Sequence, residues 1–121
     1  MANEITLTAK LKFSKNSTTE RLEAEGVSVD VTGTVVLHHR QKIGTVEETL
    51  YLGDAGVGGY FMGINRHATA IIELRSGTGA TDLVRFSPGK PNLFRISPDA
   101  TAPYVISDVN NAELEYMLVE V

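Results

Sequence analysis

The sequence has no cysteine, no tryptophan and only 4 prolines in 121 residues. Without cysteine, the chain has no thiol nucleophile, iron–sulfur cluster, disulfide framework or cysteine-based zinc site. Without tryptophan, and with only 4 tyrosines, it offers a poor aromatic platform for carbohydrate. Positive charge is also scarce, since 11 Lys and Arg stand against 15 Asp and Glu, a net charge of −4. This balance argues against nucleic acid as a partner.

Long apolar runs are missing as well. The opening residues, Met1, Ala2, Asn3 and Glu4, form neither the basic nor the apolar part of a signal peptide. We therefore expect no signal peptide, no membrane span and no membrane partner. The expected place of synthesis is the cytoplasm of the producing cell.

The composition that remains is that of a folded protein. Hydrophobic residues make up 42% and charged residues 21% of the chain, with 11 glycines. A chain of this size buries enough surface to fold without disulfides or a structural metal. We expect a single domain that spans residues 1–121.

The first part of the chain begins with a clear strand pattern. Apolar Ile5, Leu7, Ala9, Leu11 and Phe13 alternate with polar residues, which predicts a strand with one face on a core and one in water. Residues 14–26 are polar, and there a solvated loop is favoured over a short helix. The spacing of Ser17 and Glu20 and the position of Gly26 would suit the two ends of that helix.

Residues 27–52 predict further extended segments. Val27, Val29 and Val31 alternate with polar residues, and Gly33 suggests a bulge or bend. An extended pattern resumes at residues 35–37. Residues 38–42 suggest a polar connection, and residues 45–52 suggest a strand whose even-numbered side chains are mostly apolar.

The second half follows a glycine-rich loop at residues 53–59. Six short strands are predicted, at residues 60–64, 70–74, 83–86, 92–96, 104–106 and 113–119. Turn-forming residues separate them. About eight or nine short strands without a long helical pattern predict an all-β protein, a β-sandwich or barrel.

Motifs that would carry chemistry are absent from the sequence. The glycine-rich segments lack the spacing of phosphate-binding loops, and no serine lies in a nucleophile elbow. His38 and His39 are adjacent, so on a strand they face opposite ways and do not bind one metal ion together. We expect no catalytic residue, no cofactor and no metal.

Five residues are candidates for contacts with another subunit or a partner. Arg85 and Arg95 alternate with apolar residues, and they are either ordinary outward charges or partners of last-strand carboxylates across a subunit contact. Near the end of the chain both faces of the last strand become apolar. Met117, Val119 and Val121 are therefore either buried in the domain's own core or in contact with a neighbour.

The second half also carries a family resemblance. Residues 60–74, 83–90, 93–98 and 112–120, the opening residues 1–5 and residues 43–48 resemble small accessory virion proteins of tailed bacteriophages, of the capsid decoration (cement) type. The matching motifs are strand and turn motifs. The resemblance implies a jelly-roll or related β-sandwich, often trimeric, with no enzymatic activity.

From this resemblance we expect a non-enzymatic capsid decoration protein. Its expected partner is the major capsid protein, its expected location is the outer capsid surface, and its expected state is a homo-oligomer, with a trimer favoured. The polar amino-terminal segment and the glycine-rich loop are candidate contact elements. The alternatives are a tail, baseplate or fibre-tip component that binds a receptor, and a carbohydrate-binding sandwich.

Overall fold

The chain is built from β-strands. The computed structural model describes residues 4–31, 35–53, 58–97 and 103–120, and within these ranges there are ten strands and no helix. The strands are β1 (Ile5–Lys15), β2 (Thr18–Val29), β3 (Val36–Ile43), β4 (Glu48–Thr49), β5 (Gly59–Asn65), β6 (Ile72–Arg75), β7 (Asp82–Phe86), β8 (Pro91–Ile96), β9 (Tyr104–Ser107) and β10 (Ala112–Glu120). The predicted all-β class is confirmed. No helix in the described ranges has the length and apolar character needed to cross a membrane.

The chain divides into two compact units, Met1–Thr32 and Gly33–Val121. The first unit contains β1 and β2, which pair with each other as an antiparallel hairpin. The second contains the other eight strands, in two four-stranded sheets. The strands of the sandwich therefore all come from the second unit, whereas the sequence had suggested one sandwich over residues 1–121.

The hairpin corrects the interpretation of residues 14–26 as a loop or short helix. Its turn is the pair Asn16 and Ser17, with φ of 50° and 69°, the positive values of a tight two-residue hairpin turn. Gly26, at φ 65°, makes a bulge, and its N–H donates to Thr8 Oγ1 at 3.3 Å. Cross-strand pairing thus extends along the whole polar segment.

The hairpin also corrects the expected burial of the first strand. Its apolar side chains share one face as predicted, but Ala9, Leu11 and Phe13 are exposed. A two-stranded hairpin has no second layer of its own to cover such a face.

The second unit has the strand order of a jelly roll. One sheet has the order β3-β10-β5-β8 and the other β4-β9-β6-β7, so early and late strands alternate in each. All the pairings are antiparallel. This arrangement is the double-sheet sandwich that the sequence predicted.

Aromatic side chains form the centre of the sandwich core. Phe61 is fully buried and stacks on Phe94 and Tyr116, with ring centroids 5.1 and 5.4 Å away. Gly63 leaves room for the rings of Phe61 and Phe86, because a Cβ there would lie 2.9 Å from Phe86 and 3.0 Å from Phe61. Burial raises the pKa of Tyr116, whose hydroxyl donates to the carbonyl oxygen of Tyr51.

A buried asparagine joins the two sheets at one end. Asn65, fully buried at the end of β5, donates through Nδ2 to the carbonyl oxygens of Ala70 at 2.7 Å and Phe86 at 2.9 Å. Its Oδ1 accepts from the N–H of His67, and His67 Nδ1 accepts from the N–H of Ala70 at 2.9 Å. His67 therefore shapes the turn between β5 and β6.

Two further predictions between residues 38 and 52 need correction. Residues 38–42 belong to β3 and are not a connection, because their backbone pairs with β10. His38 and Arg40 also contact carboxylates of β10. Residues 45–52 form only the two-residue strand β4, although Leu50 is buried as its even number predicted. The predicted bend at Gly33 lies outside the described residues.

Candidate interaction surface

The solvent-facing side of the β3-β10-β5-β8 sheet carries an apolar patch. We call it the outer patch, and its members are Val36, Tyr60, Met62, Leu93, Met117 and Val119. Four of the six are well exposed, at 61% for Val36, 42% for Met117, 40% for Met62 and 38% for Leu93. Their strand neighbours, such as Phe61 and Leu118, point inward and are buried.

The register of the sheet makes the outer patch continuous. Met62 lies opposite Met117 on one side and Leu93 on the other, so three apolar side chains cross three strands in one row. In the next row, Val119 lies between Val36 and Tyr60. Opposed side chains on one face of a sheet contact each other, so the two rows form one surface.

Charged side chains border the outer patch at one end. Glu115 accepts hydrogen bonds from His38 Nε2 at 2.7 Å, Arg66 Nε at 2.8 Å and Arg40 Nη2 at 3.2 Å. Arg40 also donates to Glu113 at 2.9 Å. We call these five residues the charged rim, and an apolar centre beside a polar rim is the usual anatomy of a protein interface.

The carboxyl of Glu115 is stabilised in its ionised form. The hydrogen bond from His38, followed by that from Arg66, lowers the pKa of the Glu115 carboxyl below its ordinary value of 4.5. A depression of about 240 Å³ lies where the rim meets the patch, between Glu115, Met62 and Met117. The surface therefore offers apolar contact next to fixed charge.

Two of the five predicted contact residues belong to the outer patch. Met117 and Val119 face outward from β10, and Arg95 lies beside the patch on β8, opposite Tyr60, whose ring it covers at 5.5 Å. Arg85 is elsewhere, on β7, where its Nε lies 3.2 Å from Glu73 Oε2 of the same chain. Val121 lies outside the described residues.

The carboxylates of the last strand have partners within the chain. Glu113 pairs with Arg40, and Glu115 pairs with Arg40 and Arg66. Neither carboxylate pairs with Arg85 or Arg95 within the described chain. Whether Arg85 and Arg95 pair with carboxylates of another subunit stays a prediction. Of the two candidate contact elements, the glycine-rich loop lies largely outside the described residues, and the amino-terminal segment is the hairpin.

A second ion network lies on the opposite sheet. Arg75 Nη1 lies 2.7 Å from Glu47 Oε2, and the same guanidinium contacts Asp82. The hydrogen bond from Arg75 is the largest cause that lowers the pKa of both carboxyls, and these carboxylates raise that of Arg75. Glu47 also accepts from the N–H of Gly79. The network fixes the turn after β6.

The histidines do not form a metal site. His38 faces outward to Glu115, while His39 stacks with Tyr51 at 4.8 Å, so the two adjacent rings point to opposite faces. Throughout the described part of the chain, no three His, Asp or Glu side chains are grouped to hold a metal ion.

A groove of about 500 Å³ borders the edge strands β7 and β8. Leu74, Leu83, Val84 and Phe94 contribute to its lining, together with Arg95. The lining is mainly apolar, which does not favour a sugar as the ligand.

Four members of the outer patch were not predicted from the sequence, namely Val36, Tyr60, Met62 and Leu93. Each is an apolar residue at an outward position of its strand, and this signal was present in the sequence. What turns them into one surface is the placement of β10 between β3 and β5.

Comparison with known proteins identifies no family for this chain. No protein family and no curated protein sequence matches the chain. Among solved structures, it is similar to a chain described under "Bacillus endospore appendages form a novel family of disulfide-linked pili", with 12% identity and a TM-score of 0.46, over 78% of this chain and 98% of that one.

Proposed function

We propose that this chain is a non-enzymatic structural protein of a bacteriophage virion, which binds the outer capsid surface as a homo-oligomer and stabilises it. The outer patch is the observation that carries the proposal, in combination with the resemblance of the sequence to capsid decoration proteins. In this account the outer patch contacts the major capsid protein.

The chemistry of the outer patch suits a protein partner. It combines flexible methionines at positions 62 and 117 with branched apolar side chains, and methionine adapts its shape to an irregular partner surface. Contiguous apolar patches of this kind on soluble proteins mark interaction sites. The adjoining charged rim would set orientation rather than affinity.

A homo-oligomer makes modest contacts sufficient. Several copies of the outer patch that bind one lattice together act at high effective concentration, so each contact can be weak while the assembly stays bound. A protein of net charge −4 also stays soluble before it docks.

A co-sedimentation assay tests the role of the outer patch. Capsids that lack this chain are prepared from a deletion mutant of the phage that encodes it, and purified protein is added back. The variant Met62→Lys with Met117→Lys places two charges in the centre of the patch, and we expect binding to fall on the order of 100-fold because charge would be buried without a partner.

The matched control is Leu83→Lys, an exposed apolar residue on the other sheet. It should bind as the wild type does. Full binding by the double variant would refute the role of the outer patch. Binding to purified tails instead of capsids would favour the alternative, a tail or fibre component.

A further inference from the structure

The hairpin carries a second apolar surface, on one side of its two strands. Along β1 this surface consists of Ile5, Leu7, Ala9, Leu11 and Phe13, and along β2 it consists of Val29, Val27, Ala24 and Leu22. We call it the ribbon face. Leu11 is 74% exposed and Leu22, directly opposite, is 78% exposed.

The bulge at Gly26 is what creates a continuous ribbon face. The apolar residues of β2 are odd-numbered at Val27 and Val29 but even-numbered at Leu22 and Ala24. Between Leu7 and Ala9 the register shifts, so the extra residue on β2 returns both sets to one side. A device that preserves an exposed apolar face indicates that the face is used.

The opposite side of the hairpin carries polar and charged side chains. Lys10 and Lys12 lie there, opposite Glu23 and Arg21, and Lys10 Nζ is 3.9 Å from Glu23 Oε2. The two sides therefore differ sharply in chemistry. A two-stranded hairpin is at best marginally stable in water, and a layer over its apolar side is what makes it fold.

We propose that the ribbon face packs against the ribbon faces of further copies of this chain. Charge is the first reason. Apart from Lys15 and Glu20, both beside the turn, the side of β1 and β2 that carries the ribbon face has no charged residue. Two such faces can meet without burying unpaired charge, whereas a charged partner surface would find nothing to pair with.

Shape is the second reason. The rung formed by Ala9 and Ala24 is a hollow, and the rung formed by Leu11 and Leu22 beside it is a ridge. In each of these cross-strand pairs the two side chains are the same size, so the surface has the same shape along β1 and along β2. A second ribbon displaced by one rung places leucines over alanines, the interdigitation that packed sheets require.

Availability is the third reason. The hairpin needs a covering layer as soon as the chain folds. Other copies of the same chain are made at the same time, so they are available to supply that layer. Oligomers of this kind are closed and symmetric. The proposal does not depend on capsid binding, which we assign to the outer patch.

The first test compares charge pairs on the two sides of the hairpin. Leu11→Asp with Leu22→Asp puts two carboxylates opposite each other on the ribbon face. Ser14→Asp with Thr19→Asp does the same on the polar side. By analytical ultracentrifugation we expect the wild type and the polar-side variant to be oligomers, and the ribbon-face variant to dissociate with a Kd raised on the order of 100-fold or more.

The second test does not require a destabilised variant. The chain has no cysteine, so one introduced cysteine per chain can only be cross-linked to another copy. Leu11→Cys should react with a bis-maleimide of about 10 Å span to give dimers, since packed sheets lie about 10 Å apart. Lys12→Cys, its neighbour on the polar side, should give roughly tenfold less.

Three results would overturn the proposal. One is an oligomer that survives the ribbon-face charges, and another is equal cross-linking from both cysteines. The third is a wild-type protein that is monomeric. This result would overturn the proposal whether the ribbon face is then covered by its own chain, as protection of the hairpin amides from hydrogen exchange would show, or binds capsids. If the outer-patch variant loses capsid binding but remains an oligomer, capsid binding and self-association use different surfaces, as the two proposals require.

Discussion

Met62 and Met117 lie directly opposite each other on β5 and β10, and both side chains face solvent. Their strand neighbours Phe61 and Tyr116 stack in the core at 5.4 Å. The same two central strands therefore hold the sandwich together from one side and present an apolar surface on the other. This double use of β5 and β10 links stability to the proposed function.

The aromatic stack should dominate the stability of the sandwich. Phe61→Ala removes a fully buried ring and leaves a cavity, so we expect the free energy of unfolding to fall by about 3–5 kcal/mol. Urea denaturation measures this change. Leu83→Ala, an exposed residue, should change it by no more than about 0.5 kcal/mol, and equal losses in the two variants would refute the assigned core.

Gly63 should be intolerant of even a methyl group. Gly63→Ala brings a Cβ to within 2.9 Å of Phe86, and such overpacking costs about 1–3 kcal/mol. Gly77→Ala is the control, because nothing lies within 4 Å of its added Cβ. Thermal unfolding of both variants tests the packing, which would be wrong if Gly63→Ala were as stable as the control.

The amide of Asn65 should contribute more than an exposed amide of the same type. Asn65→Ala leaves the buried carbonyl oxygens of Ala70 and Phe86 without this donor, with an expected loss of about 1–3 kcal/mol. Asn92→Ala removes a comparable bond to the carbonyl oxygen of Arg85, but in an exposed position, and should cost less. Calorimetry on the two variants shows which substitution lowers the stability of the protein more.

The ion pairs should make the protein sensitive to acid. Interactions in the folded chain lower the pKa of Glu115 below 4.5, so its contribution to stability is complete above that value and is lost as pH falls through the folded pKa. Glu47 and Asp82 follow the same direction. The free energy of unfolding should therefore decrease as the pH drops below about 4.5.

A single variant isolates the contribution of Glu115 to this loss of stability at low pH. Glu115→Gln should be less stable than the wild type at pH 7, and the difference should shrink toward pH 3. Glu25→Gln, at an exposed position of β2, is the control. A difference that stays constant from pH 7 to pH 3 would contradict the assigned ion pairs.

Most of the sandwich could be predicted from the sequence. All six strands predicted in the second half are present, because each is a short segment rich in apolar residues that is bounded by turn-forming residues. Local pattern alone could not identify β3 beyond Leu37. There, His38 and Arg40 are outward residues of a strand whose partners lie on β10.

The hairpin could not be predicted because its signals conflict locally. Gly26 interrupts the alternation of β2 and resembles the end of a helix when only nearby residues are considered. Only the pairing of β2 with β1 shows that it is a bulge. Only Met117 and Val119 of the outer patch were predicted. The rest depends on the order of the strands in the sheet, which the sequence of a single strand does not determine.

The copy number of this chain in purified virions tests the central claim most directly. Quantitative mass spectrometry would compare it with the major capsid protein. The account predicts hundreds of copies per particle, close to the number of capsid subunits. A handful to a few dozen copies would move the chain to the tail or fibre, and its absence from the particles would contradict the account.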